Sequence, residues 1–318
     1  MVPDKSGKLC RSIPIDQQRI LHGGVVPDGI WRVETVHPSS EIVFKYEITP
    51  SEHYPHALSC TVRYQLVGLG PPAAAQAQVP EEEGEKDDDL DLPEPQVTIS
   101  AIPSFFSVDE SLLVEEKDPL VEGLRVELEV ENLQDQESWV GLGTHLYFRN
   151  PFDEKIDSMN LSLKAIGEVP VDDDTLIPIH PLEINETIPL EHDFDGLIPR
   201  RIGETEFDNS FLLDDSVLED EPEGAALITL EKDNFMLEII PEFTETKCPH
   251  QSSKGKPAIQ FAHVYTPPAR DSIAIEPQTC PANHFQHPYD AEYNNNVLRR
   301  KGDKLVISSL FIITWSFQ

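Results

Sequence analysis

The chain reads as an all-β protein, a large antiparallel β-sandwich, on three observations. Apolar and polar residues alternate with period two along much of its length, helical periodicity is scarce, and 28 prolines supply turns and edge strands. The first run sets Ile42, Phe44, Tyr46 and Ile48 on one face and Val43, Lys45 and Glu47 on the other. A second opposes Leu58, Cys60, Val62, Tyr64 and Leu66 to Thr61, Arg63 and Gln65, and the cleanest opposes Leu124, Val126, Leu128 and Val130 to Arg125, Glu127, Glu129 and Glu131. Further extended runs occupy 235–240, 259–265 and 304–315.

Between these runs, residues 70–95 change texture to Pro, Ala and Gln followed by a nearly all-acidic block without aromatics, a composition that predicts a disordered insertion within a hairpin. A shorter acidic loop is expected at 214–224. With strands resuming on both sides of each, 1–318 reads as one domain. The 39% hydrophobic content supports a sizeable core.

A formal net charge of -34 excludes nucleic acid and anionic membrane as expected partners, because both require a positive field, and it disfavours anionic substrates. Cys10, Cys60, Cys248 and Cys280 lie far apart, and the start of the chain lacks the apolar core of a secretory signal. A reducing cytoplasm without disulfides is therefore expected. The apolar stretch near 305–317 is too short and too polar to span a bilayer.

Four segments carry polar residues among apolar ones: Leu21-His-Gly-Gly followed by Trp31, Gly141-Leu-Gly-Thr-His-Leu-Tyr-Phe, Glu206-Phe-Asp-Asn-Ser-Phe, and Glu276-Pro-Gln-Thr-Cys-Pro-Ala-Asn. Singly each has a plain explanation: His22 caps a turn, His145 is a hydrogen-bonded core residue, Asp208 forms a turn. An imidazole and a carboxylate in one cleft are also the minimum set for acid–base chemistry near neutral pH.

Together and in this order, the segments resemble the aldose 1-epimerase (galactose mutarotase) family. The resemblance implies the galactose mutarotase-like supersandwich, with His145 and Glu276 as catalytic acid and base and with His22, Asp208 and Asn283 binding the sugar. His145 falls in a G-x-H-x-Y-F pattern, Asp208 in D-N-x-F, and Glu276 in E-P-x-T running to Asn283. Family members carry a longer stretch before Leu-His-Gly-Gly, including a sugar-contacting arginine. Only 21 residues precede His22 here, and neither Arg11 nor Arg19 lies in the expected motif, so the front of the sandwich is expected to be shortened or rebuilt.

The implied reaction interconverts the α and β anomers of a neutral aldohexose by ring opening and closure, without cofactor or metal. Trp31, Tyr147, Phe148 and Phe285 are candidates to pack on the sugar ring, or equally to fill the core. Two alternatives stand beside this reading: a non-catalytic carbohydrate-binding module on the same fold, and a hexose-6-phosphate 1-epimerase, which would call for clustered Arg or Lys. Cys248, His250, Cys280, His284 and His287 lack the cleanly paired spacing of structural zinc, and no metal site is expected.

Overall fold

The computed structural model describes residues 30–37, 40–51, 54–68, 123–152, 154–172, 174–178, 199–214, 226–242, 258–282, 284 and 297–316, with the backbone alone of 2–3, 9–10 and 120–122. His22, Phe285, Asn283, Cys248, His250, His287, the acidic segment 70–95 and residues 215–224 of the second acidic loop lie outside the described residues.

The strands in chain order are β1 (Val2–Pro3), β2 (Leu9–Cys10), β3 (Arg32–His37), β4 (Glu41–Ile48), β5 (Leu58–Gly68), β6 (Leu120–Asn132), β7 (Ser138–Trp139), β8 (Leu146–Arg149) and β9 (Asn160–Leu163). They continue as β10 (Ala165–Glu168), β11 (Arg200–Arg201), β12 (Asp208–Leu213), β13 (Ile228–Lys232), β14 (Phe235–Glu242), β15 (Phe261–Tyr265), β16 (Ser272–Gln278), β17 (Val297–Leu298) and β18 (Lys304–Trp315). Among the described residues there is no α-helix; a 3-10 turn spans Ile156–Ser158, and no helix is long and apolar enough to cross a membrane.

Two sheets dominate, both antiparallel. The larger runs β11-β9-β13-β14-β18-β6-β5-β4-β3 and the smaller β10-β12-β15-β16-β8; the short pairs β17-β7 and β1-β2 stand apart. The strands on either side of the acidic insertion, β5 and β6, pair directly, with Val67 opposite Gly123.

The alternation expected from the sequence sets the faces of the large sheet. Ile239, Phe311 and Leu124 form one inward row across three strands, ending at the exposed Leu66 of β5, and Val130 and Cys60 belong to another. The opposite face carries ion pairs across strands: Arg63 with Glu41 at 2.7 Å and Glu127 at 3.3 Å, Lys304 with Glu129 at 2.6 Å, and, reaching over β18, Arg125 with Glu242 at 2.7 Å. These pairs are partly exposed and add little stability each; their role is to keep one face wet. Edge strands β3 and β11 present Arg32, Glu34, Arg200 and Arg201 to solvent, which discourages edge-to-edge pairing.

The inward face of the large sheet packs on one face of the small sheet. Their shared core includes Leu161, Leu230, Leu237, Ile239 and Phe311 from the first and Phe211, Ala262, Val264, Ile273 and Ile275 from the second. Phe148 of β8 reaches across to Phe311 with ring centroids 5.8 Å apart. Successive side chains on a strand point to opposite faces, so committing Phe148, Ile273, Ile275, Ala262 and Val264 to the core turns Tyr147, Ala274, Glu276, His263 and Tyr265 to the other side. That other side of the small sheet is where the chemistry-bearing residues gather.

Phe211 is fully buried and packs edge-on against Phe207 at 6.5 Å between centroids. Phe211→Ala is expected to cost about 3–5 kcal/mol, read as a lowered denaturant midpoint with unchanged slope.

Candidate active site

Strand β16 is the centre of the site. Ser-Ile-Ala-Ile-Glu-Pro-Gln lies between β15 and β8 and is buried from Ser272 through Pro277. Its partner segment on one side begins at Leu142. The Thr279 N–H donates to the Leu142 carbonyl at 2.9 Å, and the Leu142 N–H donates to Thr279 Oγ1 at 3.0 Å. Thr144 N–H donates to the Pro277 carbonyl at 3.2 Å. Gly143 bridges to Gln278, and regular pairing of β8 starts at Leu146 opposite Ile275.

This register explains the residue types. Proline has no N–H, so the Thr144–Pro277 pair makes one ladder bond instead of two, and the regular strand begins only beyond it. Thr279 substitutes a side-chain clamp that fixes the same two segments a few residues on. Between these anchors His145 faces Glu276, with Nε2 3.3 Å from Oε1. The imidazole also stacks on Tyr147 at 5.0 Å between centroids.

The second carboxylate oxygen, Oε2, accepts from Gln278 Nε2 at 3.2 Å. Gly143 makes room for this: a Cβ there would lie 2.9 Å from Gln278 Cγ and 3.3 Å from the Pro277 carbonyl oxygen. On the other flank, His263 of β15 pairs directly with Glu276 and Ser210 of β12 pairs with His263. His263 Nδ1 is 2.9 Å from Ser210 Oγ, and its Nε2 is 3.1 Å from Asp208 Oδ1. Asp208, with its side chain 47% exposed, stands one step along β12 from this row, opposite Tyr265 and two strands from Glu276, about 10–12 Å at ordinary strand spacing and rise.

Glu276 is only 7% exposed. Burial pushes its carboxyl up to about 7; the charge of protonated His263 and the Gln278 hydrogen bond pull the other way, and the Asp208 charge pushes it further up. Leu212 and Phe261, which cluster with Val169, border the same face beyond Ser210 and His263. The Tyr147 phenol is raised by burial first and then by Tyr265 and Glu276.

Of the residues singled out in the sequence, His145 and Glu276 are in contact, and Asp208 joins them through His263. Trp31 packs on Tyr46 at 5.5 Å and Phe148 lies in the core, so of the described aromatic candidates Tyr147 is the one on the site face. His263 and Gln278 escaped the sequence reading. The available signal was the alternation Phe261, His263, Tyr265, which puts a histidine on the face opposite Ala262 and Val264. Cys60 and Cys280 are free thiols, burial raising them to about 11 and about 12, and burial lowers His284 to about 4. Among the described residues no group of three or more His, Cys, Asp or Glu side chains is placed to hold a metal ion.

The chain is thus an all-β sandwich with a histidine–carboxylate contact on the outer face of its smaller sheet. The aldose 1-epimerase family model matches residues 120–292, more than half of the chain, and the chain belongs to that family. Among solved structures the fold is similar to the GalM/aldose epimerase homologue from C. elegans (TM-score 0.54, 14% identity, covering 90% of this chain and 69% of that one). It is likewise similar to a galactose mutarotase-like protein from Clostridium acetobutylicum (TM-score 0.53, 12% identity, covering 89% and 66%) and to a protein from Synechocystis sp. (TM-score 0.50, 14% identity, covering 97% and 76%). At these identities the likeness is one of fold. No curated protein sequence matches the chain.

Gln278→Leu removes a hydrogen bond that favours the charged carboxylate, so Glu276 is expected to titrate at higher pH than in the wild type. Gly143→Ala, which displaces Gln278, is expected to act in the same direction; carboxyl carbon NMR reads both. A second prediction concerns stability. Glu276 titrates near 4.5 when unfolded and about 7 when folded, so its contribution is fully present below 4.5 and is lost as pH rises through 7. Glu276→Gln avoids that loss. Relative to wild type, the variant is expected to gain up to about 3 kcal/mol between pH 4.5 and pH 8, measured by denaturant unfolding at the two pH values.

Proposed function

We propose that the protein is an aldose 1-epimerase that interconverts the α and β anomers of a neutral aldohexose. The observation that carries this reading is the contact between His145 Nε2 and Glu276 Oε1 at 3.3 Å. The anomeric hydroxyl oxygen and the ring oxygen are bonded to the same carbon, so an acid and a base that serve them must stand side by side on one face of the sheet.

Glu276 takes the proton from the anomeric hydroxyl while protonated His145 gives one to the ring oxygen. The C1–ring oxygen bond breaks, its electron pair stays on the ring oxygen, and a C1 carbonyl forms. Rotation about C1–C2 presents the other face, and closure returns both protons. The pair loses one proton and gains one in each direction, so its total is unchanged and no external acid is consumed. A carboxyl raised to about 7 suits this exchange at neutral pH, where a base with an ordinary carboxylate range would hold its proton too weakly.

Asp208, one step along β12 from the row, is assigned to sugar hydroxyls away from the anomeric centre, with His22 and Asn283 assigned to further hydroxyls from the family motif. Tyr147 is assigned to the apolar face of the ring. A neutral sugar is favoured over a phosphorylated one because Glu276 and Asp208 both face the cleft and oppose a dianion. A binding module has no use for a carboxyl held near neutrality by burial, which supports the enzyme over the lectin. A cytoplasmic setting accords with the free thiols of Cys60 and Cys280.

Polarimetry of freshly dissolved α-D-glucose or α-D-galactose tests the reading. Acceleration over buffer is expected, with kcat falling about 10²- to 10⁴-fold in Glu276→Gln and in His145→Asn. The acid limb of the kcat/KM profile is expected near pH 7, where Glu276 loses its proton, instead of the pH 4–5 of an unperturbed carboxylate. A wild-type rate equal to buffer, or an unaffected Glu276→Gln, overturns the proposal; sugar binding by calorimetry without acceleration would select the binding module.

A further inference from the structure

We propose that His263 is a positioning residue of this site: it holds the Asp208 carboxylate in the cleft and couples it electrostatically to Glu276. The inference extends the epimerase reading and rests on it for the role of Asp208, while the coupling itself is a property of the folded chain.

The geometry begins with register. His263 and Glu276 are directly opposed across β15 and β16, which brings their Cβ atoms to about 5 Å on the same face. Asp208 and Ser210 are two residues apart on β12, hence on one face, and Ser210 is opposed to His263. The imidazole is therefore spanned: Nε2 lies 3.1 Å from Asp208 Oδ1 and Nδ1 lies 2.9 Å from Ser210 Oγ. A carboxylate accepts only, so Nε2 carries the proton that it donates to Asp208. Nδ1 either accepts from the Ser210 hydroxyl or, when protonated, donates to it. The hydroxyl serves both states by rotating, so His263 changes charge without losing either partner.

A serine, histidine and aspartate in a chain invite a nucleophilic reading, but the exposures run the wrong way. Ser210 is buried at 7% exposure whereas the Asp208 side chain is 47% exposed to solvent. The end of this relay that meets a ligand is the carboxylate.

The coupling follows from distance. Ionisable groups facing Glu276 are His145 and Tyr147 from the β8 side, His263 and Tyr265 from β15, and Asp208 from β12, with Gln278 the polar neighbour on its own strand. The positive charge of protonated His263 is one strand away and the negative charge of Asp208 two, so the nearer charge prevails and the ion pair as a unit favours ionised Glu276. Without the imidazole, Asp208 acts alone and in the opposite sense.

Titration of the Glu276 carboxyl carbon by NMR in the sugar-free protein tests this. His263→Gln is expected to raise the pH of Glu276 titration by about half a unit or more. Adding Asp208→Asn to that variant is expected to bring it back down, a reversal that accumulated structural damage would not produce. In the wild-type chain, the His263 ring carbon resonance is expected to show an inflection at the Glu276 titration pH, a measurement that needs no variant. By polarimetry, His263→Gln is expected to raise KM about tenfold as Asp208 loses its anchor. An unmoved Glu276 titration in His263→Gln, a further rise in the double variant, or a His263 resonance blind to Glu276 overturns the proposal. Because these titrations use no substrate, their failure is distinct from a failure of mutarotation, which the wild-type rate alone decides.

Discussion

The pairing of the 142–149 segment with 272–279 is the constraint from which the site follows. Two motifs far apart in sequence become neighbouring backbone segments, clamped at one end by the two hydrogen bonds between Leu142 and Thr279 and at the other by the regular ladder of β8 on β16. His145 and Glu276 are opposed because everything on either side of them is in register. A slip of one residue would turn His145 into the core and bring Leu146 to the cleft, since side chains alternate strictly between faces. Pro277 and Gly143 are the local concessions: the first gives up a ladder bond, the second gives up a side chain so that Gln278 can lie over the carboxylate.

The small sheet has to satisfy two environments at once. One face is dry, sealed by the large sheet through Phe148, Phe311, Val264 and Ile275; the other is a partly buried polar row. A carboxylate placed there loses hydration, and its neighbours restore only part of it: one imidazole contact on Oε1, one amide on Oε2, and a histidine alongside. The result is a group that prefers its proton until near neutrality. That is unfavourable for folding at neutral pH, and under the proposed function it suits proton exchange, so the cost to stability falls on the side chain proposed as the base.

The outer face of the large sheet handles charge in the opposite way. Its glutamates form partly exposed ion pairs with arginines and lysines, so these carboxylates stay hydrated as well as paired. The same residue type is thus hydrated and paired on one sheet and largely dehydrated on the other.

Alternation of residues was enough to place the strands β4, β5, β6, β14, β15 and β18 and to give the all-β class, while strands as short as β9 and β10 carried too few residues to be read this way; Leu124 to Val130 against Arg125 to Glu131 reads the same in the sequence and in the sheet because the period of a strand is local. The short motifs were likewise enough to single out His145, Asp208 and Glu276. Tertiary structure alone decided which face of β8 meets the core, separating Tyr147 from Phe148, and which strands adjoin, bringing His263 beside Glu276 and Gln278 beneath the space left by Gly143. Those relations depend on register between segments distant in the chain and on loss of solvent, and neither is written in the order of residues along any one strand.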